Sequence, residues 1–136
     1  MNTLTIDYND SLFSQKFVDS LHHTGFAVIN NHPIEQNLIN KVYADWDLFF
    51  SSDAKHRYIY DYEKQDGYFP FRSENAYNRE KKDLKEFFHI YPLWGRYPDF
   101  ISNDSLTLFK MLVELGNHML LSIEHESPDK IRTKSA

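Results

Sequence analysis

The sequence predicts an α+β fold in which helices pack on a few strands. Three observations lead there. Apolar residues recur at three- and four-residue spacing in three separate stretches. Short runs of strand-forming residues lie between them. Aromatic residues make up 16% of the chain, more than a disordered polymer carries.

Thr3 to Tyr8 alternates and reads as a first strand. Asp10 or Ser11 then offers a side-chain oxygen to cap a helix carrying Phe13, Phe17, Val18 and Leu21. Gly25 follows as the left-handed residue that closes it. Phe26 to Asn30 reads as a buried strand, turned by Asn30-Asn31-His32-Pro33. From Ile34 to Ser51 the stripe Leu38, Val42, Trp46 and Phe49 marks the strongest amphipathic helix, widened by Ile39, Tyr43 and Phe50. The stretch from Asp53 to Asn78 is irregular, with extended pieces around Tyr58, Tyr60, Tyr62 and Gly67-Tyr68-Phe69. Asp83 to Tyr91 reads as another strand, stopped by Pro92. The strands near Ile6, at Phe26–Asn30 and at Glu86–Tyr91 are expected to share one sheet. Asp104 or Ser105 caps a last helix with the stripe Leu108, Leu112, Leu115 and Met119. One domain, 1–124, is therefore expected, followed by a polar, disordered tail at 125–136.

The 136 residues are too few for more than one domain. The net charge is −5, and basic residues are interleaved with acids, as in Asn78-Arg79-Glu80-Lys81-Lys82-Asp83. Without a basic stripe, nucleic acid is not expected as a partner. The absence of cysteine excludes disulfides, thiolate metal sites and a cysteine nucleophile. Neither a signal peptide nor a long apolar run stands out, so a cytoplasmic protein with no membrane partner is expected.

Gly25-Phe26-Ala27-Val28-Ile29-Asn30-Asn31-His32-Pro33-Ile34 resembles the Gly-Phe…Asn-His-Gly-Ile segment of the isopenicillin N synthase-like non-haem dioxygenases. Thr5-Ile6-Asp7, Val42-Tyr43, Phe49-Phe50, Gly67-Tyr68 and Asp83-Leu84-Lys85-Glu86-Phe87-Phe88 fall in that family's order. The likeness runs from about Leu4 to Ile123 and departs at Pro33, where the family has glycine. It implies a non-haem dioxygenase N-terminal-like domain whose strands extend the main sheet of a double-stranded β-helix, or jelly roll, here incomplete. It also implies iron(II) and 2-oxoglutarate as the cofactors of a full-length parent oxidoreductase. There, His-x-Asp…His holds iron and Arg-x-Ser holds the co-substrate.

Neither signature occurs in this chain. None of the seven histidines is followed two residues later by Asp or Glu, and no Arg is so followed by Ser. No catalytic residue and no metal ligand is therefore assigned. Glu86 and His89 have the Glu-x-x-His spacing of di-iron helices, but on a strand they point to opposite faces. Glu114 and His118 make half a site at most, and His22-His23 suits a helix C-terminus. Four glycines leave no phosphate-cradling loop. In the family, the stretch holding Tyr58, Tyr68 and Arg72 lies near the substrate entrance, so the resemblance makes these three the candidate substrate contacts. Packing by amphipathic rings is the simpler role for them.

Two functions fit. One is the N-terminal portion of an oxygenase acting on an unknown small molecule. It would be a fragment, a broken-gene product or a subunit completed by a missing C-terminal catalytic portion, and not catalytic alone. The other is a non-catalytic interaction module using a sheet edge or an apolar face. If the main sheet is cut short, self-association through uncovered apolar faces is expected.

Overall fold

The computed structural model describes residues 4–74 and 82–128. The start of the first predicted strand at Thr3, the charge-interleaved residues 78–81 and the tail residues 129–136 lie outside them. The elements in order are β1 (Thr5–Asp7), α1 (Phe13–Thr24), β2 (Val28–Asn30), α2 (Gln36–Ser51), a 3-10 segment (Asp53–Tyr58), β3 (Gly67–Phe69), β4 (Phe87–His89) and α3 (Asp104–Glu126). This is α+β, as the periodicity predicted. The chain divides into two units, Met1–Ile39 with Thr107–Ala136, and Asn40–Leu106.

In the first unit β1 and β2 pair in parallel, Ile6 opposite Ile29, with α1 as the crossover that parallel pairing requires. Ile6, Phe13 and Phe17 form its buried core, with Tyr8, Val18, Leu21, Ile29 and Met119 packed around them. The Phe13 ring stacks on Phe17 at 5.6 Å and on His118 at 5.2 Å. Gly25 closes α1 at φ 77°, and its N–H donates to the Leu21 carbonyl. Its partner signal was less accurate. Asp10 accepts from the Leu12 N–H, in the turn ahead of α1, and no side chain caps the helix itself. Asn31 takes φ 52° after β2, and its amide donates to Asp7. Asparagine tolerates this left-handed geometry better than most residues.

The second unit is organised around Phe49, which is fully buried. Rings of Trp46, Phe50, Tyr58, Tyr68, Phe88 and Phe100 lie 5.2 to 6.1 Å from it. The Trp46 indole N–H donates to the Ser105 hydroxyl at 2.7 Å, which keeps its one polar group satisfied inside the cluster. Antiparallel β3 and β4 pair Tyr68 with Phe88 and Phe69 with Phe87.

Four expectations need correction. The strands do not share one sheet: β1 pairs with β2, and β4 pairs with β3 in a second sheet. The irregular stretch before β4 supplies its own antiparallel partner, which was not singled out as a ladder strand. Phe26 and Val28 are exposed, so β2 is covered on one side only. Ser105 is buried under Trp46 instead of capping α3, and the Ser102 hydroxyl accepts from the Asp104 N–H. Helix α3 continues through His125 and Glu126. By length and apolar content α3 alone, among the described helices, would suffice to cross a membrane. Lys110, Glu114 and Glu124 interrupt its apolar character.

Replacing Phe49 by alanine should lower the unfolding free energy by about 4 kcal/mol, as for other buried aromatic truncations. Gly67→Ala should cost about 2–3 kcal/mol. Gly67 has φ 111°, and a Cβ there would lie 2.5 Å from the Tyr58 carbonyl and 2.7 Å from the Arg96 guanidinium. Urea unfolding followed by tryptophan fluorescence measures both. An unfolding midpoint unchanged in either variant would show that these packing assignments are wrong.

Candidate functional site

Alternation along β3 and β4 gives their sheet two different faces. Tyr68 and Phe88 face the Phe49 cluster. Phe69, Phe87 and His89 take the other face. There the Phe69 and Phe87 rings stack at 4.4 Å with 12° between planes, and His89 lies 4.7 Å from Phe69. Opposite His89 stands Gly67, which has no side chain to oppose it. Tyr60 extends this layer at 4.1 Å from Phe69, and the Lys85 ammonium sits 4.8 Å from the Phe87 ring. Burial raises the Tyr60 hydroxyl pKa above its ordinary value, and the neighbouring Tyr91, Tyr62, Glu74 and Asp61 add to the effect.

Two ionic networks hold the sheet. The Glu86 carboxylate accepts from the Tyr68 hydroxyl and from the Lys55 ammonium, the latter at 2.9 Å. The Tyr68 bond holds Glu86 below the usual carboxylate range against the opposing effect of burial, and Lys55 reinforces it. The bond to Glu86 raises Lys55 in turn. Burial, followed by the bond to Glu86, raises Tyr68. The second network is Asp66 with Arg96. Asp66 is fully buried, and it accepts from the Arg96 backbone N–H and from its Nε at 2.9 Å. Arg96 also donates to the Ile59 carbonyl at 2.8 Å. Burial alone would raise the Asp66 carboxyl, but the Arg96 bonds outweigh it and hold the group below its usual value.

Of the three sequence candidates, Tyr58 and Tyr68 come together around Phe49. Tyr58 exchanges hydrogen bonds with Asp99, donating to its carboxylate and accepting from its N–H, both at 3.0 Å. Tyr68 is 2% exposed, with its hydroxyl on Glu86. Arg72 stands apart on an exposed turn at φ 62°, its guanidinium 5.4 Å from the Phe71 ring. The outer ring layer of Tyr60, Phe69, Phe87 and His89 was not singled out from the sequence. The period-two alternation of Glu86-Phe87-Phe88-His89 was the signal that could have found it.

The described residues do not fit an iron site. No group of three His, Asp or Glu side chains among them converges on one point. Two buried imidazole nitrogens, His32 Nδ1 and His118 Nδ1, have no hydrogen-bond partner. The His118 ring is stacked on Phe13 and edge-on to Tyr8 at 5.0 Å. Glu86 faces Lys55 and Tyr68 while His89 lies on the opposite face, so this pair shares no metal. No catalytic step through a metal is derived for these residues.

Asp66 gives a signed pH prediction. Its folded-state pKa is depressed, so its contribution is complete above the unfolded value and is lost as pH falls through the folded one. Glu86 carries the same sign. Stability should therefore fall with acid below about pH 4. Arg96→Gln should lower neutral-pH stability by about 3 kcal/mol, because it leaves a buried carboxylate uncompensated. It should also flatten that acid dependence. Urea midpoints from pH 7 to pH 3 test this, and an unaltered midpoint for Arg96→Gln at pH 7 would refute it.

Comparison with known proteins gives the context. The family model described as "non-haem dioxygenase in morphine synthesis N-terminal" matches residues 3–104. No curated protein sequence matches significantly. Among solved structures, a "putative oxygenase" from Shewanella oneidensis is similar over 96% of this chain, with 39% identity and a TM-score of 0.84. This chain covers 45% of that protein, so it spans less than half the length of its structural relative. The order of strand, helix and aromatic segments, the family match across most of the chain and the 39% identity agree: the chain belongs to the non-haem dioxygenase N-terminal family.

Proposed function

We propose that this chain serves as the N-terminal portion of an iron(II)- and 2-oxoglutarate-dependent oxygenase that oxidises a small molecule in the cytoplasm. The observation that carries the reading is the 39% identity to the Shewanella protein across nearly all of this chain but 45% of that one. In this reading the groups that hold iron and 2-oxoglutarate belong to the part of the relative that this chain does not span. The strands described here would extend the main sheet of its jelly roll. The domain expected at 1–124 would be the supporting piece, with α3 running on through Glu126.

Substrate would meet the outer ring layer of β3 and β4. Tyr60, Phe69, Phe87 and His89 offer flat apolar surface there, and Arg72 offers a fixed positive charge on the turn after β3. Tyr58 and Tyr68 would act from the inner side by holding that layer in place. The Phe49 cluster and the two ionic networks would keep the wall rigid. The alternative reading, an interaction module without catalysis, draws support from the exposed apolar residues of α3. The coding sequence downstream separates the two. A continuation with His-x-Asp, a distant His and Arg-x-Ser supports the oxygenase, while a separately encoded partner supports the module.

The chain by itself should form no succinate above a no-protein blank when supplied with 2-oxoglutarate, iron(II) and ascorbate. The facial triad of this chemistry needs two His and one carboxylate around open positions. Iron-dependent succinate that disappears in His89→Ala or His118→Ala would defeat the proposal, because the chain would then hold a non-standard site of its own.

A further inference from the structure

The ring layer outside β3 and β4 does not end at His89. Tyr91 follows two residues on, 6.5 Å from the imidazole with 87° between planes. Tyr60 stands 6.3 Å from the same imidazole at 86°. Two tyrosine rings thus stand at right angles to one half-buried histidine, and their hydroxyls are near enough to interact. Each tyrosine is supported by a second ring. Phe69 lies 4.1 Å from Tyr60, and Trp94 stacks on Tyr91 at 4.7 Å. Such supporting rings hold the tyrosines in position ahead of any ligand.

Aromatic faces suit any planar or apolar group, so charge decides what they hold. The ion pairs beside this layer join three carboxylates, Asp61, Glu74 and Asp83, to two ammonium groups, Lys64 and Lys85. These pairs are loose, at 3.4 to 3.9 Å. Burial is the main cause that raises the Tyr60 hydroxyl pKa, but Glu74 and Asp61 add to it, so the ring stands in negative potential. The chain already seats one cation on the layer, the Lys85 ammonium over Phe87. Arg72 stands apart on its exposed turn, with its guanidinium over Phe71.

Resting on the oxygenase reading above, we propose that Tyr60, His89 and Tyr91 receive a compact cationic group of the substrate, an ammonium or methylated ammonium, with Glu74 and Asp61 supplying the opposite charge. The substrate class is then a small-molecule amine. An anionic group at the same place would meet the excess of carboxylates and is disfavoured.

Two probes titrated into the 136-residue chain test this: choline, and its uncharged carbon isostere with a tert-butyl group in place of trimethylammonium. The ring-proton NMR shifts of Tyr60, His89 and Tyr91 report binding. Choline should bind saturably and about tenfold more tightly than the isostere. Tyr91→Leu should weaken choline about tenfold, whereas Tyr91→Phe should stay within about twofold, because the ring and not the hydroxyl holds the cation. Glu74→Gln should weaken choline about threefold at low salt. Its ion pair with Lys85 is largely exposed, so this variant carries the test if Tyr91→Leu lowers the unfolding midpoint. Equal affinity for the two probes overturns the proposal. So does the absence of saturable choline binding, and so does choline binding that neither Tyr91→Leu nor Glu74→Gln alters. The oxygenase reading fails on a separate observation, a downstream coding sequence without His-x-Asp and Arg-x-Ser, and choline binding by this chain does not depend on that result.

Discussion

Burial of the Phe49 ring is the constraint on which the second unit depends. The ring is fully buried, and the rings around it come from α2, the 3-10 segment, β3, β4 and the turn before α3. Aromatic rings pack edge-to-face or offset at fixed distances, so one central ring sets the positions of the rest. Short strands of three residues, such as β3 and β4, supply few ladder hydrogen bonds and gain much of their stability from such packing. The candidate wall on the outer face of the sheet is thus positioned from its inner face.

The same sheet separates chemistry by alternation. Charged groups gather where they can be paired: Glu86 with Tyr68 and Lys55 ahead of β4, Asp66 with Arg96 beside β3. The buried Asp66 carboxylate and the half-buried Glu86 are both bonded, which is the condition for tolerating their desolvation. The outer face is left with rings, one imidazole and the Lys85 ammonium over Phe87. Gly67 makes this possible by letting the Tyr58 carbonyl and the Arg96 guanidinium approach the strand more closely than any side chain would permit.

The first unit follows another logic. Its core is small, and α1 crosses between two parallel strands with a glycine-closed end. Helix α3 covers that core with one side, through Met119 and the ring of His118. Its other apolar side, with Phe26 and Val28 near β2, stays open to solvent.

The sequence by itself determined the local elements of this protein. Periodicity located α2 and α3, Gly25 marked the end of α1, and Asn31 marked the turn after β2, because these depend on neighbours a few residues away. The order of motifs also located the family. Only the tertiary structure decided that β4 pairs with β3 and not with β1 and β2, since pairing depends on the hydrogen-bond partner a strand meets and not on its own residues. It also decided that Tyr68 turns inward to Glu86 while Phe69 beside it turns outward. A tyrosine's hydroxyl suits a buried network and a wet surface equally well, so the residue type alone leaves its face open until Glu86 and Lys55 are brought within reach.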